Sequence, residues 1–249
     1  MASIAKELLN AGEYSEAYDL YFWLPEETHA KARFQGMADC LIRLEQFDDA
    51  IIVAENAIKI YPSDIDLRVT YLNALNLTDE YEKCLNAAYD SLLAFPDVAV
   101  FVFFIAQSHE FLEQWDEAEE RYRTLLNENP EDAVLHEHVA RCLVGKGQSV
   151  KAIPILKRAI RVSPEYSGCY YELVQAYTEL DQFDKALWVA KKTFKLFSAN
   201  EGLAYTFLGM ALHNCDDHDK AIDILQEGLL LYPDQDEIAE LMDDIEGDE

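Results

Sequence analysis

Apolar residues along the chain recur at spacings of three and four, in paired runs of roughly a dozen residues separated by short polar turns. In 202–235, Tyr205, Leu208 and Leu212 form one stripe and Ala221, Ile222, Leu225 and Leu229 another, with 214–217 as the turn. The pattern predicts two antiparallel amphipathic helices, and it repeats. Prolines stand at Pro62, Pro96, Pro130 and Pro164, each 34 residues after the last. Proline cannot continue a helix interior but is accepted at the start of the next helix, so each marks the end of a unit. A small residue recurs at the same interval, at Ala50, Cys84, Ala118, Ala152 and Ala186, and with one-residue slips at Ala17 and Ala221. At the start of a second helix a small side chain lets the two backbones approach closely. Pro233 closes the last unit, and Ser198 stands where one proline is missing.

The segments LEQFDDA from Leu44, LEQWDEA from Leu112 and LDQFDKA from Leu180 lie 68 residues apart, so alternate units are closest in sequence. The period predicts one shortened hairpin over 1–28 and full hairpins over 31–64, 65–98, 99–132, 133–166, 167–200 and 202–235. A last helix follows over 236–246, with Ile238, Leu241, Met242 and Ile245 on one face. Stacked hairpins leave an apolar face at their open end, and this helix is expected to cap it. The expectation is a single all-α array over 1–249.

These periodic residues resemble the tetratricopeptide repeat, whose signature is an aromatic, then Leu-Gly, then Tyr, a later Ala and a final Pro. Tyr205, Leu208, Gly209, Ala221 and Pro233 carry it in the last repeat, and Tyr170, Leu173, Tyr177 and Ala186 in the one before. Val174 replaces the glycine there, and Arg68 stands where its repeat would have the first aromatic. The resemblance implies a right-handed superhelical solenoid of antiparallel helix hairpins, about seven repeats plus a C-terminal capping helix. It implies protein binding rather than catalysis.

Composition narrows the function classes. Half of the 249 residues are apolar, enough for a substantial core, and nine glycines and seven prolines leave no flexible linker. A net charge of −28 opposes the phosphate backbone of nucleic acid and acidic membranes alike. The longest apolar-rich run, 98–106, is far short of the roughly 20 residues that span a bilayer. Lys6, Glu7 and Glu13 interrupt the start of the chain, where a signal peptide needs an apolar run. Cys40, Cys84, Cys142, Cys169 and Cys215 are odd in number, spread out and never in a CxxC pair. A cytoplasmic, reduced protein is expected. The chain has no glycine-rich phosphate loop, GxSxG or HExxH, so neither an enzyme nor a cofactor is expected. His136 and His138 are two apart and point to different sides of a helix. His213 and His218 flank Asp216 and Asp217, a slightly better metal cluster that also reads as ordinary turn residues.

In the tetratricopeptide family the first helix of each repeat lines a concave groove. Carried over, the early groove positions include Gln35, Asp39 and Asn73, which do not suit the Lys and Asn clamp that some members use for a partner's C-terminal carboxylate. Later positions are Phe103, Phe104, Gln107, His138, Arg141, Tyr171, Gln175, Phe207 and Met210. The stretch 97–111 is apolar almost all round, so either neighbouring repeats cover Phe103 and Phe104 or a partner does, and the sequence leaves both open. Charge marks a second surface. Residues 141–197 hold ten basic and five acidic residues, against ten and 43 in the rest of the chain. Lys157 and Lys191, Arg158 and Lys192, and Arg161 and Lys195 are pairs 34 residues apart, a ladder on second helices. The resemblance puts those helices outside, making a convex basic patch for an acidic partner or another copy's acidic end, or simply a solvated face. The leading expectation is a cytoplasmic scaffold that holds a peptide or helix of a partner protein in the groove. The alternatives are a dedicated chaperone for an aggregation-prone or secreted client and, more distantly, a metal- or small-molecule-binding protein.

Overall fold

The computed structural model describes residues 1–247, apart from the side chains of 26–30 and 246. Fifteen helices follow one another with, among the described residues, no strand. The chain forms two compact units, Met1–Gln114 and Trp115–Glu249. Unit 1 holds α1 (Ala2–Ala11), α2 (Tyr14–Phe22), α3 (Glu26–Arg43), α4 (Phe47–Ile60), α5 (Ile65–Leu77), α6 (Tyr81–Ala94) and α7 (Ala99–Phe111). Unit 2 holds α8 (Trp115–Glu128), α9 (Ala133–Gly145), α10 (Ser149–Val162), α11 (Gly168–Thr178), α12 (Phe183–Phe197), α13 (Leu203–His213), α14 (His218–Leu231) and α15 (Asp236–Gly247). Within each unit every helix packs on the one before and the one after it. First helices also touch, α1, α3, α5 and α7 in succession in unit 1, and α9, α11 and α13 in unit 2, with α15 against α13 at the end. This is the stacking of a helical-hairpin solenoid. The division between units falls inside the period expected at 99–132, at the turn between its two helices. The first boundary also moves: α3 begins at Glu26, directly after the extended Pro25, rather than beyond residue 28.

One turn geometry recurs. Gly12, Glu45, Asp79, Glu113, Gly147, Asp181 and Asp216 all have positive φ, between 55° and 86°. Each follows a first helix, and the residue after it donates its amide back to the carbonyl five residues earlier. At Gly147 the two closing bonds are Gly147 N–H to Val144 O at 2.8 Å and Gln148 N–H to Leu143 O at 2.7 Å. These are the paired bonds of a left-handed helix end, which satisfy carbonyls the helix would otherwise leave open. Five residues beyond each such position stands the small residue of the period: Ala17, Ala50, Cys84, Ala118, Ala152, Ala186 and Ala221, all 0% exposed. The turn thus fixes where the second helix begins, and within each unit the small side chain lets it approach.

Proline sets where that helix stops. α4, α6, α8, α10 and α14 each have 14 residues and end two residues before Pro62, Pro96, Pro130, Pro164 and Pro233. Where Ser198 replaces proline, α12 runs one residue longer, to 15. Asp64 and Asp132 then start α5 and α9, accepting the amides of Leu67 and of Val134 and Leu135.

The apolar helix α7 resolves in part. Phe101, Phe104 and Ile105 are buried against Leu72, Leu75, Cys84 and Ala88 of α5 and α6. Phe104, 4% exposed, is a core residue. Its removal should therefore cost about 3–5 kcal/mol. Thermal unfolding of Phe104→Ala, with faster amide exchange in α5 and α6, is the expected result; unchanged unfolding would return the ring to the surface. The turn makes a separate prediction. A Cβ built on Gly147 meets nothing within 4 Å, so Gly147→Ala isolates the backbone strain. The melting midpoint should fall by about 3 °C, for a cost of about 1 kcal/mol.

Candidate partner-binding site

A cleft of about 850 Å³ opens on the first-helix face of unit 1. Polar side chains dominate its lining: Asn10 from α1, Asp39 and Arg43 from α3, Asn73 and Asn76 from α5, and Gln107 from α7. Helical spacing explains the set, since residues three or four apart share a face. Side-chain amides tie the helices together. Asn76 Nδ2 donates to Gln107 Oε1 at 2.6 Å, and Gln35 Nε2 donates to Thr70 Oγ1 at 2.6 Å and to Asp39 Oδ1 at 3.1 Å. The carbonyl oxygens of Gln35 and Asn76 are buried and, among the described residues, have no hydrogen-bond partner. Burial pushes the Asp39 carboxyl above its usual range, against the hydrogen bond from Gln35 and the charge of Arg43. The lining offers amide donors and acceptors, contains no lysine, and carries one carboxyl, Asp39, and one guanidinium, Arg43.

On the first-helix face of unit 2, carboxylates replace amides as the ties. Arg141 pairs with Glu137 on its own helix and reaches Glu172 on α11, Nε to Oε1 2.7 Å. The Tyr166 hydroxyl donates to Glu137, and that of Tyr171 to Glu201 Oε2 at 2.8 Å. Burial first, and then these carboxylates, push both phenols upward, so they remain neutral donors. The Tyr171 ring stacks on Phe207, centroids 4.6 Å apart, and His138 stacks on Tyr122 at 4.5 Å.

The groove residues expected from sequence therefore divide. Phe104, His138 and Tyr171 are buried at 4%, 8% and 7% exposure under this chain's own side chains. They hold the surface together rather than offering rings to a partner, which corrects their assignment as groove contacts. Phe103, Gln107, Arg141, Gln175, Phe207 and Met210 are partly exposed, and Gln175 donates to Glu179 at 3.0 Å. Near Phe103 the unit 1 cleft is polar where the sequence suggested an aromatic surface, because α7 turns Gln107 into the cleft and Phe101 and Phe104 into the core. Asn76, Arg43 and Asn10 were not read from the sequence as lining residues; the spacing of three from Asn73 was the signal for Asn76.

All six residues of the basic ladder, Lys157, Arg158, Arg161, Lys191, Lys192 and Lys195, are exposed. The structure brings Lys157, Arg161 and Lys192 together with Lys185 around a second cleft of about 440 Å³, while Arg158, Lys191 and Lys195 lie outside its lining. Trp188, which the sequence reading passed over, lines it too. Its signal was a large aromatic among the charged residues of α12. His213 and His218 meet, Nδ1 to Nδ1 2.8 Å, yet among the described residues no group of three or more His, Cys, Asp or Glu could hold a metal. None of the five cysteines is in a disulfide, and burial pushes the Cys40 and Cys169 thiols up to about 11 and about 12.

Residues 62–207 match the family model of the ChAPs, the Chs5p-Arf1p-binding proteins, and residues 203–235 match a tetratricopeptide repeat model. Among curated proteins, the chain is 23% identical over 221 residues to a Drosophila melanogaster homolog of the BBSome complex member BBS4, covering 87% of this chain and 45% of that protein. Over 116 residues it is 31% identical to BBS4 of Xenopus tropicalis, covering 47% of this chain and 22% of that one. The chain thus spans less than half the length of these relatives. In fold it is similar to a tetratricopeptide repeat protein from Parabacteroides merdae, with a TM-score of 0.82 at 15% identity over 97% of this chain and 95% of the other. It is also similar to a chain of the Cut9–Hcn1 hetero-tetramer, with a TM-score of 0.71 at 15% identity over 97% of this chain and 48% of that one. No helix among the described residues is long and apolar enough to cross a membrane. The stacked hairpins and these matches agree on a solenoid of tetratricopeptide repeats, and the chain belongs to the ChAPs family.

Proposed function

We propose that the chain holds partner proteins within a multi-subunit assembly and binds an extended segment of one partner along the amide-lined cleft of unit 1. The observation that carries this reading is the succession of amides lining the cleft, Asn10 on α1, Asn73 and Asn76 on α5 and Gln107 on α7. An extended peptide presents N–H and C=O groups at regular intervals, and side-chain amides can serve either. Relatives lend support to an assembly role. The ChAPs are named for binding Chs5p and Arf1p, BBS4 is a member of the BBSome complex, and Cut9 forms a complex with Hcn1. A cytoplasmic location belongs to the same proposal and rests on five cysteines outside any disulfide.

The test pairs Asn73→Ala with Gln107→Ala in one variant, both positions being at least partly exposed. Complexes captured by tagged wild-type and variant chains from the source cells would be compared by quantitative mass spectrometry, with thermal unfolding as the control for folding. The variant should lose stoichiometric partners, with affinity for a purified partner down by about tenfold or more, while its stability, read from the melting midpoint, falls by no more than the about 1 kcal/mol that the lost Asn76–Gln107 bond accounts for. Undiminished recovery of the same partners would remove the unit 1 cleft from the binding mechanism.

A further inference from the structure

The second cleft lies between α10 and α12 and is floored by α11, so it is built by other helices than the amide-lined cleft and does not rest on that reading. Its floor is Tyr170, Leu173 and Tyr177, exposed by only 2%, 4% and 6%. Ile160, Val189 and Trp188 continue the apolar wall. Trp188 is 67% exposed, although indole is among the largest apolar groups a chain can leave in water. Cations ring this apolar surface. Lys192 Nζ stands 5.1 Å from the centre of the Tyr170 ring, and Lys157 and Lys185 stand 5.4 Å and 5.7 Å from that of Tyr177. Among the described residues, none of Lys157, Arg161 and Lys192 has a carboxylate within 4.0 Å, and Asp184 is the acidic member of the lining.

We propose that this cleft is a second docking site, taking an acidic segment of a partner protein that inserts one large apolar side chain beside Trp188. The volume, about 440 Å³, suits a single anchoring side chain rather than a long run of chain. The rim supplies cations that, among the described residues, no carboxylate neutralises at Lys157, Arg161 and Lys192, in a molecule whose net charge is −28. A short segment places its carboxylates only at the rim and gains from them; a nucleic acid strand or an anionic membrane carries its charge past the rim, onto a surface that repels it. An apolar centre with a charged border is also the arrangement in which one aromatic anchor carries most of the affinity.

Fluorescence anisotropy tests this with fluorescein-labelled 12-residue peptides in which six Asp and Glu residues surround a central Leu, Phe or Trp. Anchorless peptides with central Gly, labelled oligo-dT and phosphatidylserine vesicles serve as competing probes. The full chain should bind the anchored peptides in a salt-sensitive manner and the anchorless ones about fivefold or more weakly. Trp188→Ala should lower the affinity about tenfold, and Lys157→Glu with Lys192→Glu should do the same while flattening the salt dependence. All three positions are exposed, so folding should survive, and Lys151→Glu, exposed on α10 outside the lining, should leave binding unchanged. The proposal fails if no anchored peptide binds better than its glycine counterpart, or if Lys151→Glu costs as much as the cleft variants. It fails equally if oligo-dT or vesicles bind more tightly through the same residues. Dimers of the chain alone, seen by sedimentation and abolished by the charge reversal, would assign the cleft to a second copy and overturn it too.

Discussion

The left-handed residue that ends each first helix, coupled to a fully buried small side chain five positions on, is the constraint on which the rest of the structure depends. The turn satisfies the last carbonyls of the first helix, and for the hairpins that lie within one unit it sets the direction of the next helix while the small residue sets their separation. Neither suffices alone: a turn without the small residue would splay the hairpin, and a small residue without the turn would have no fixed partner. Because the pair recurs with the period from Gly12 to Asp216, the same side-chain positions return to the same face within each unit. Proline adds the stop, and the extra residue of α12 at Ser198 shows what its absence permits.

That regularity separates two kinds of surface. First helices pack on each other at their faces and therefore tie themselves with side-chain hydrogen bonds, through amides at Asn76 and Gln107 in unit 1 and through carboxylates at Glu137 and Glu172 in unit 2. Between the second helices α10 and α12 the core tyrosines of α11 are reached from outside. A scaffold built like this can hold one partner by backbone-like hydrogen bonding and another by charge and an apolar anchor.

Much of the fold was legible because a solenoid writes its geometry into the sequence at every period. The prolines, the small residues and the helix pairs all stand where the spacing puts them. The site was legible only by position. Gln107 and Asn73 fell on the expected face, yet Phe104 did not, because a helix that is apolar all round gives no periodic cue to which side is covered; the side chains of α5 and α6 decide it. Tyr171 and His138 sit on the first-helix face but are closed over by Phe207 and Tyr122, partners far off in sequence. The two-unit division left no mark, since the 34-residue period passes through 114–115 unbroken.

The turn residues also account for part of the protein's acidity. Five of the seven left-handed positions are Glu or Asp, and acidic residues follow in the first turn of every second helix except α10. The first-turn carboxylates stand at the positive end of a helix dipole, which favours them there. The exception is instructive, for at α10 the turn is Gly147 and the first turn carries Lys151. Part of the negative charge is thus laid down hairpin by hairpin, and the basic band spans the one hairpin whose second helix opens without a carboxylate.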